Sequence, residues 1–312
     1  MNISEYVSEV AKKISEVRED LIVEANDNIV KNNGIKFAGI SLRKEDSNLS
    51  STIFVNSVYD IGLSIDDAVK KVLDTYEGKD NDNSSNIDIN IDIIQDFNLC
   101  KDKIIAKVIN KEKNTEFINH CPYAQFGDLA IIFQIIVSHT EFGNMTITIR
   151  NDLMNNWKIS LGKLIEAAYE NTNKLMPMEI TNIRNMIREM LSNVNGSDIE
   201  DLLPPVDINI TMHVVTSEKR TNGAYYITDR NALIDISKHI GCNRFYILPS
   251  SIHEFIVLPA SHVDPDALLT MVKEVNATQV SPEEILADNV YMFDAITEEL
   301  RMSDGSIIPF LT

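Results

Sequence analysis

The run RFYILPSSIHEFIVLP, Arg244–Pro259, sets two apolar, β-rich segments, Phe245–Leu248 and Phe255–Leu258, on either side of Pro249-Ser250-Ser251-Ile252-His253-Glu254. Short segments of this composition, separated by proline and serine, read as a β-hairpin. A hairpin joins antiparallel neighbours, whereas parallel strands need a crossover of about a dozen residues or more. The pattern recurs. Leu129–Val137 and Met145–Ile149 meet across the turn HTEFGN, and Val290–Phe293 with Leu300–Met302 forms a closing hairpin. Hairpins therefore outnumber βαβ crossovers, and the expected class is α+β: two domains of mixed or mostly antiparallel sheets packed by helices.

Helices are read from their period. Ile3, Val7, Val10, Ile14, Val17 and Leu21 recur three and four apart and make one apolar stripe. A helix is expected to continue to about Lys31, where Asn32-Asn33-Gly34 stops it. Ser64 caps a helix over Ile65–Tyr76, and Ser160 caps another over Leu161–Leu175, with Trp157 anchoring the latter by burial. Further helices are expected over Ile87–Phe97, Glu112–His120, Glu179–Leu191, Asn231–Ile240 and Pro265–Val275, with a short one from Pro282. Strands are expected over Ile35–Leu42, Thr52–Asn56, Lys103–Ile109, Ile208–Val215 and Ala224–Ile227. Asn171-Thr172 is expected to hold the connection that leaves the Leu161 helix.

Two stretches lack this periodicity. Gly78–Asn86 has no apolar residue and reads as a loop, and Asn193–Pro205 combines glycine, acids and a proline pair. The second marks the expected domain boundary. The organisation is thus an N-terminal α+β domain over 1–192, a linker over 193–205 and a ββαββα domain over 206–312. A chain of 312 residues is long enough for two such cores.

Composition narrows the partners. The chain carries 47 Asp and Glu against 28 Lys and Arg, a formal net charge of -19. Such a surface repels phosphates, so direct nucleic-acid binding is not expected, while a basic protein surface would be attracted. Cys100, Cys121 and Cys242 lack any CxxC spacing, which points to reduced thiols in a cytoplasmic setting. No signal-peptide core opens the sequence and no run of about eighteen apolar residues occurs, so no membrane partner is expected.

Ser250, Ser251, His253 and Glu254 form the one crowding of groups with chemical potential. A serine nucleophile needs a base, and the base needs a carboxylate to orient it. In an extended segment neighbouring side chains look to opposite faces, so His253 and Glu254 cannot serve each other. The G-x-S-x-G elbow is missing as well. The four residues are therefore read as part of a binding surface, and no catalytic residue is assigned. His120, His139, His213, His239, His253 and His262 never pair at ligand spacing, so no metal is expected. Neither GxxxxGK[ST] nor GxGxxG appears, and no cofactor is expected.

The run YILPSSIHEFIVLP (Tyr246–Pro259), with NGAYYI (Asn222–Ile227) before it and MVKEVNATQVSPEEILADNVYMF (Met271–Phe293) after it, resembles domain-of-unknown-function family 5688. FGDLAIIFQIIV (Phe126–Val137) and LIEAAYENTNKLMP (Leu164–Pro177) carry the same resemblance, which spans most of Lys103–Phe293. Gly78–Asn86 and Ser303–Thr312 lie outside it. The resemblance implies a protein of gut clostridia encoded near mobile elements, distantly similar to YtpQ-like proteins, and carries no activity or catalytic residues. The expected function is a non-enzymatic binding or regulatory protein with a protein partner, an accessory or anti-defence factor of bacterial mobile elements. Two alternatives stand beside it: a serine hydrolase using Ser250 or Ser251 with a histidine, and a protein that sequesters a small ligand between its domains.

Overall fold

In the first helix, α1 (Ile3–Val17), the Asn2 side chain accepts from the Glu5 amide at 2.9 Å, and the Asn2 amide donates to the Glu5 carboxylate at 3.1 Å. This reciprocal capping box satisfies two helix-end donors. The computed structural model describes residues 1–45, 50–77, 91–140, 143–191, 211–261 and 263–311. The chain forms two compact units, Met1–Ile89 and Asn90–Thr312. Every strand pairing among the described residues is antiparallel. The class is α+β.

In the first unit α1 ends at Val17, and Leu21–Val30, expected as its continuation, is instead strand β1. It pairs with β2 (Lys36–Lys44) through a turn at Asn33 (φ 61°) and Gly34 (φ 71°), and β2 pairs with β3 (Ser51–Phe54). Helices α2 (Asn56–Asp60) and α3 (Ile65–Tyr76) follow, the latter capped by Ser64, which accepts from the Asp67 amide. Val7, Val10 and Ile14 of α1, Ala68 and Val72 of α3, and Ala38, Ile40 and Leu42 of β2 share one core. Leu21 is buried in that core too. It fits the helical stripe by spacing and the strand by burial, which is why period alone misplaces the boundary.

The second unit opens with α4 (Ile91–Gln95) and α5 (Phe97–Cys100). A four-stranded sheet follows, in which β6 (Leu129–Thr140) pairs with β4 (Ile104–Asn110), β5 (Tyr123–Phe126) and β7 (Gly143–Thr148). Between β4 and β5 the expected helix over Glu112–His120 is a single turn, α6 (Thr115–Ile118). Leu129–Ile136 is buried without interruption, as a strand covered on both faces must be. Trp157 closes α7 (Asn151–Trp157) rather than anchoring the next helix. Its Nε1 donates to the Ile94 carbonyl at 3.0 Å, and its ring lies 5.6 Å from that of Phe97.

Helix α8 (Leu161–Leu175) is fixed to β4. Asn171 Nδ2 donates to the carbonyls of Lys101 and Ile104 at 2.7 and 3.2 Å, and Thr172 Oγ1 accepts from the Ala106 amide at 2.9 Å. Asn171 and Thr172 thus fasten the helix to the first strand of the sheet, not to the following helix.

A seven-stranded sheet completes the unit. It contains β8 (Met178–Asn182), β9 (His213–Ser217), β10 (Arg244–Leu248), β11 (Glu254–Pro259), β12 (Tyr291–Asp294), β13 (Glu299–Met302) and β14 (Ile307–Ile308), in the order β14-β13-β12-β10-β11-β9-β8. Residues 179–182, expected as the start of a helix, lie in β8 and pair with β9, and α9 covers only Ile183–Leu191. Ala224–Ile227, expected as a strand, belongs to a buried 3-10 helix over Gly223–Thr228, which leads into α10 (Arg230–Ile240). α11 spans Pro265–Thr278 and packs Leu268 and Val272 on Leu248 and Leu258. Beyond it, Pro282 starts only a turn.

Residues 87–90, the loop 78–86 and the expected linker 193–205 lie outside the described residues. The strands on either side of that linker, β8 and β9, are neighbours in one sheet.

Candidate functional site

The connection Pro249–His253 is shaped by its own backbone and by two distant loops. The Ser250 amide donates to the Leu248 carbonyl at 2.9 Å and its hydroxyl to the Glu254 carbonyl at 3.1 Å. Buried Ser251 accepts at Oγ from the amides of His253 (3.0 Å) and Glu254 (3.2 Å), a serine turn that closes the connection onto β11. The Ser250 proton and the Ser251 oxygen are thus both engaged by main-chain groups. The His253 carbonyl accepts from the Gly223 amide and from Thr216 Oγ1, each at 2.8 Å, and the Ile252 amide donates to the Glu284 carbonyl at 2.9 Å.

The imidazole is oriented from a third side. His253 Nδ1 accepts from the Asn222 amide at 3.3 Å, which leaves the ring proton on Nε2. Nε2 sits 3.8 Å from Glu284 Oε1. Burial first, and the charge of Lys107 second, push the His253 pKa down to about 4, so the ring is neutral near pH 7 and this contact is not an ion pair. Burial raises the Glu254 carboxyl above its ordinary range, Arg220 opposes that rise and Glu284 adds to it; Glu284 is raised by burial and by Glu283. Ser250, Ser251, His253 and Glu254 therefore stand together in one polar knot. Asn222, Glu284 and the charges of Lys107 and Arg220 complete it.

Those completing residues come from remote parts of the chain and carry no local signature except the Asn222-Gly223 turn. Gly223 is required for space. A Cβ there would lie 2.5 Å from both the His253 oxygen and the Thr216 Cα. Chemically the knot offers an Nε2–H donor, carboxylates of raised pKa and one guanidinium, but neither serine hydroxyl bonds to the imidazole.

Among the described residues no group of three or more His, Cys, Asp or Glu could hold a metal ion. His213 and His239 form an edge-to-face pair with ring centroids 6.0 Å apart. Cys100 and Cys121 are buried and their thiols are pushed up by that burial, Cys100 to about 11. No described helix is long and apolar enough to cross a membrane.

A family model described as "Family of unknown function (DUF5688)" matches residues 3–295. The chain belongs to this family. The match takes in nearly the whole chain, including the loop 78–86 that the motif resemblance left out, and stops before Ser303–Thr312. No curated protein and no solved structure matches the chain.

Proposed function

We propose that this DUF5688 protein works by binding rather than by catalysis, and that the knot of Ser250, Ser251, His253, Glu254 and Glu284 is part of a surface that recognises a protein. One observation carries this reading: both serine hydroxyls are hydrogen-bonded to the backbone, while the imidazole accepts at Nδ1 from the Asn222 amide rather than from a serine. A nucleophile needs a base on its proton, and that contact is missing. The partner is a basic protein surface, favoured by the chain's net charge of -19. A host factor met by a mobile element fits the neighbourhood that the family resemblance implies, and the protein then works in the cytoplasm.

The test is affinity capture with full-length wild type and the double variant His253→Ala/Glu284→Lys, beside labelling with a serine-reactive phosphonate. The reading expects one stoichiometric protein held by the wild type and lost by the variant, with no labelling. Turnover of an ester or peptide, together with labelling that disappears in Ser250→Ala or Ser251→Ala, contradicts it.

A further inference from the structure

The sequence holds three Asn-Gly pairs, Asn33-Gly34, Asn195-Gly196 and Asn222-Gly223, the second of them outside the described residues. An asparagine before glycine is prone to cyclise, because no Cβ on the glycine hinders attack of its nitrogen on the neighbouring carboxamide. The two described pairs share one backbone shape: Asn33 has φ 61° and ψ 21°, and Asn222 has φ 55° and ψ 22°. At these ψ values the glycine nitrogen lies beside the asparagine's own nitrogen and away from its side chain. Each pair must therefore open locally before it can react.

The restraint on opening differs. Gly34 is exposed at the tip of the β1–β2 hairpin, and its amide donates to the Lys31 carbonyl at 3.2 Å. Gly223 is buried and its amide donates to the His253 carbonyl at 2.8 Å, while the Asn222 amide donates to His253 Nδ1. Opening at Gly34 breaks a long hydrogen bond in a solvated turn. Opening at Gly223 unpacks the contact between two loops. Exposed turns open at far lower free energy than packed segments, and a reaction that needs opening follows that difference.

We propose that Asn33 is a self-modification site of this protein, and that the fold shields Asn222 from the same reaction. In the opened turn the Gly34 nitrogen gives its proton to water and attacks Cγ of Asn33. The new C–N bond closes a succinimide, and the side-chain nitrogen takes up a proton and leaves as ammonia. Water then adds to either ring carbonyl and breaks its bond to nitrogen, which yields aspartate or isoaspartate. No oxidant, metal or partner enters, and each product adds one negative charge. Isoaspartate also lengthens the main chain by one carbon, inside a turn whose ends are pinned by the Lys31 amide on the Ile35 carbonyl at 2.7 Å. The site stands apart from the binding surface proposed above.

Peptide mass spectrometry with isoaspartate detection tests this on the full chain, aged in mildly alkaline buffer both folded and in guanidinium chloride. In the folded chain Asn33 should convert at least about tenfold faster than Asn222, and in denaturant the two should convert at comparable rates. Ammonia release from the folded chain should fall in Asn33→Gln, whose longer side chain closes a ring far more slowly. The proposal falls if Asn33 stays intact in the folded chain while it reacts in denaturant, if Asn222 keeps pace with it in the folded chain, or if neither reacts in denaturant.

Discussion

Gly223 donates its amide to the carbonyl of His253 at 2.8 Å, and any side chain at position 223 would collide with that same oxygen. The close approach of these two residues joins the turn after β9 to the connection between β10 and β11. Gly223→Ala would bring a Cβ to 2.5 Å from main-chain atoms on both sides, which cannot move aside as a flexible side chain could. A loss of about 1–3 kcal/mol is expected from such overpacking, read by denaturant unfolding. An unchanged midpoint would mean that the turn and the connection are not in contact.

The two serines separate by role. Ser251→Ala removes the acceptor of two amides in a buried turn and should cost about 1–2 kcal/mol. Ser250→Ala loses one bond at a part-buried site and should cost about 0.5–1 kcal/mol. Equal effects on urea midpoints would count against the serine turn.

Thr172 is fully buried, and its hydroxyl bridges the Ala168 carbonyl (2.6 Å) and the Ala106 amide (2.9 Å). Thr172→Val keeps the shape and strands the Ala106 amide, for an expected loss of about 1–3 kcal/mol. The matching signature is faster hydrogen exchange at the Ala106 amide, and an unaltered exchange rate would refute the bond.

Stability should depend on pH through His253. Its folded pKa of about 4 lies below the ordinary 6.5, so the unfolded chain takes up a proton first as pH falls. The contribution is complete above about pH 6.5 and is lost on the way down to about pH 4. Glu254 and Glu284, raised in the fold, act in the opposite sense and favour the folded state as pH falls towards the ordinary carboxylate range. His253→Gln isolates the histidine part. Between about pH 7 and pH 5 the wild type should lose about 1 kcal/mol more than the variant, after allowance for the ring's partial exposure. Parallel loss in both proteins would contradict the neutral, buried imidazole.

Elements with both a period and a cap could be read directly from the sequence. Ile65–Tyr76 after Ser64, Leu161–Leu175 after Ser160, and the hairpin of β10 and β11 are where their residues place them. The misplacements share one cause. Leu21–Val30 and Met178–Asn182 follow or precede helical residues without punctuation, and only pairing with β2 and β9 makes them strands. Tyr225 and Tyr226 suit a strand by composition, yet both are buried in a 3-10 helix. Tertiary packing overrides local preference there. Of the site, the four adjacent residues were visible because they are adjacent. Asn222, Gly223 and Glu284 were not, since only the pairing of β9 with β11 and the Ile252–Glu284 hydrogen bond bring them in.

If the hairpin imidazole is committed to the backbone through Nδ1, it cannot activate a serine. Long-range proton–nitrogen NMR of the histidine side chains, followed through an acid titration, reads this directly. His253 should carry its proton on Nε2 near pH 7 and titrate with a midpoint near 4. A proton on Nδ1 would leave Nε2 free to act as a base, and a midpoint at or above the ordinary 6.5 would mean that the ring is not desolvated; either result would contradict this reading.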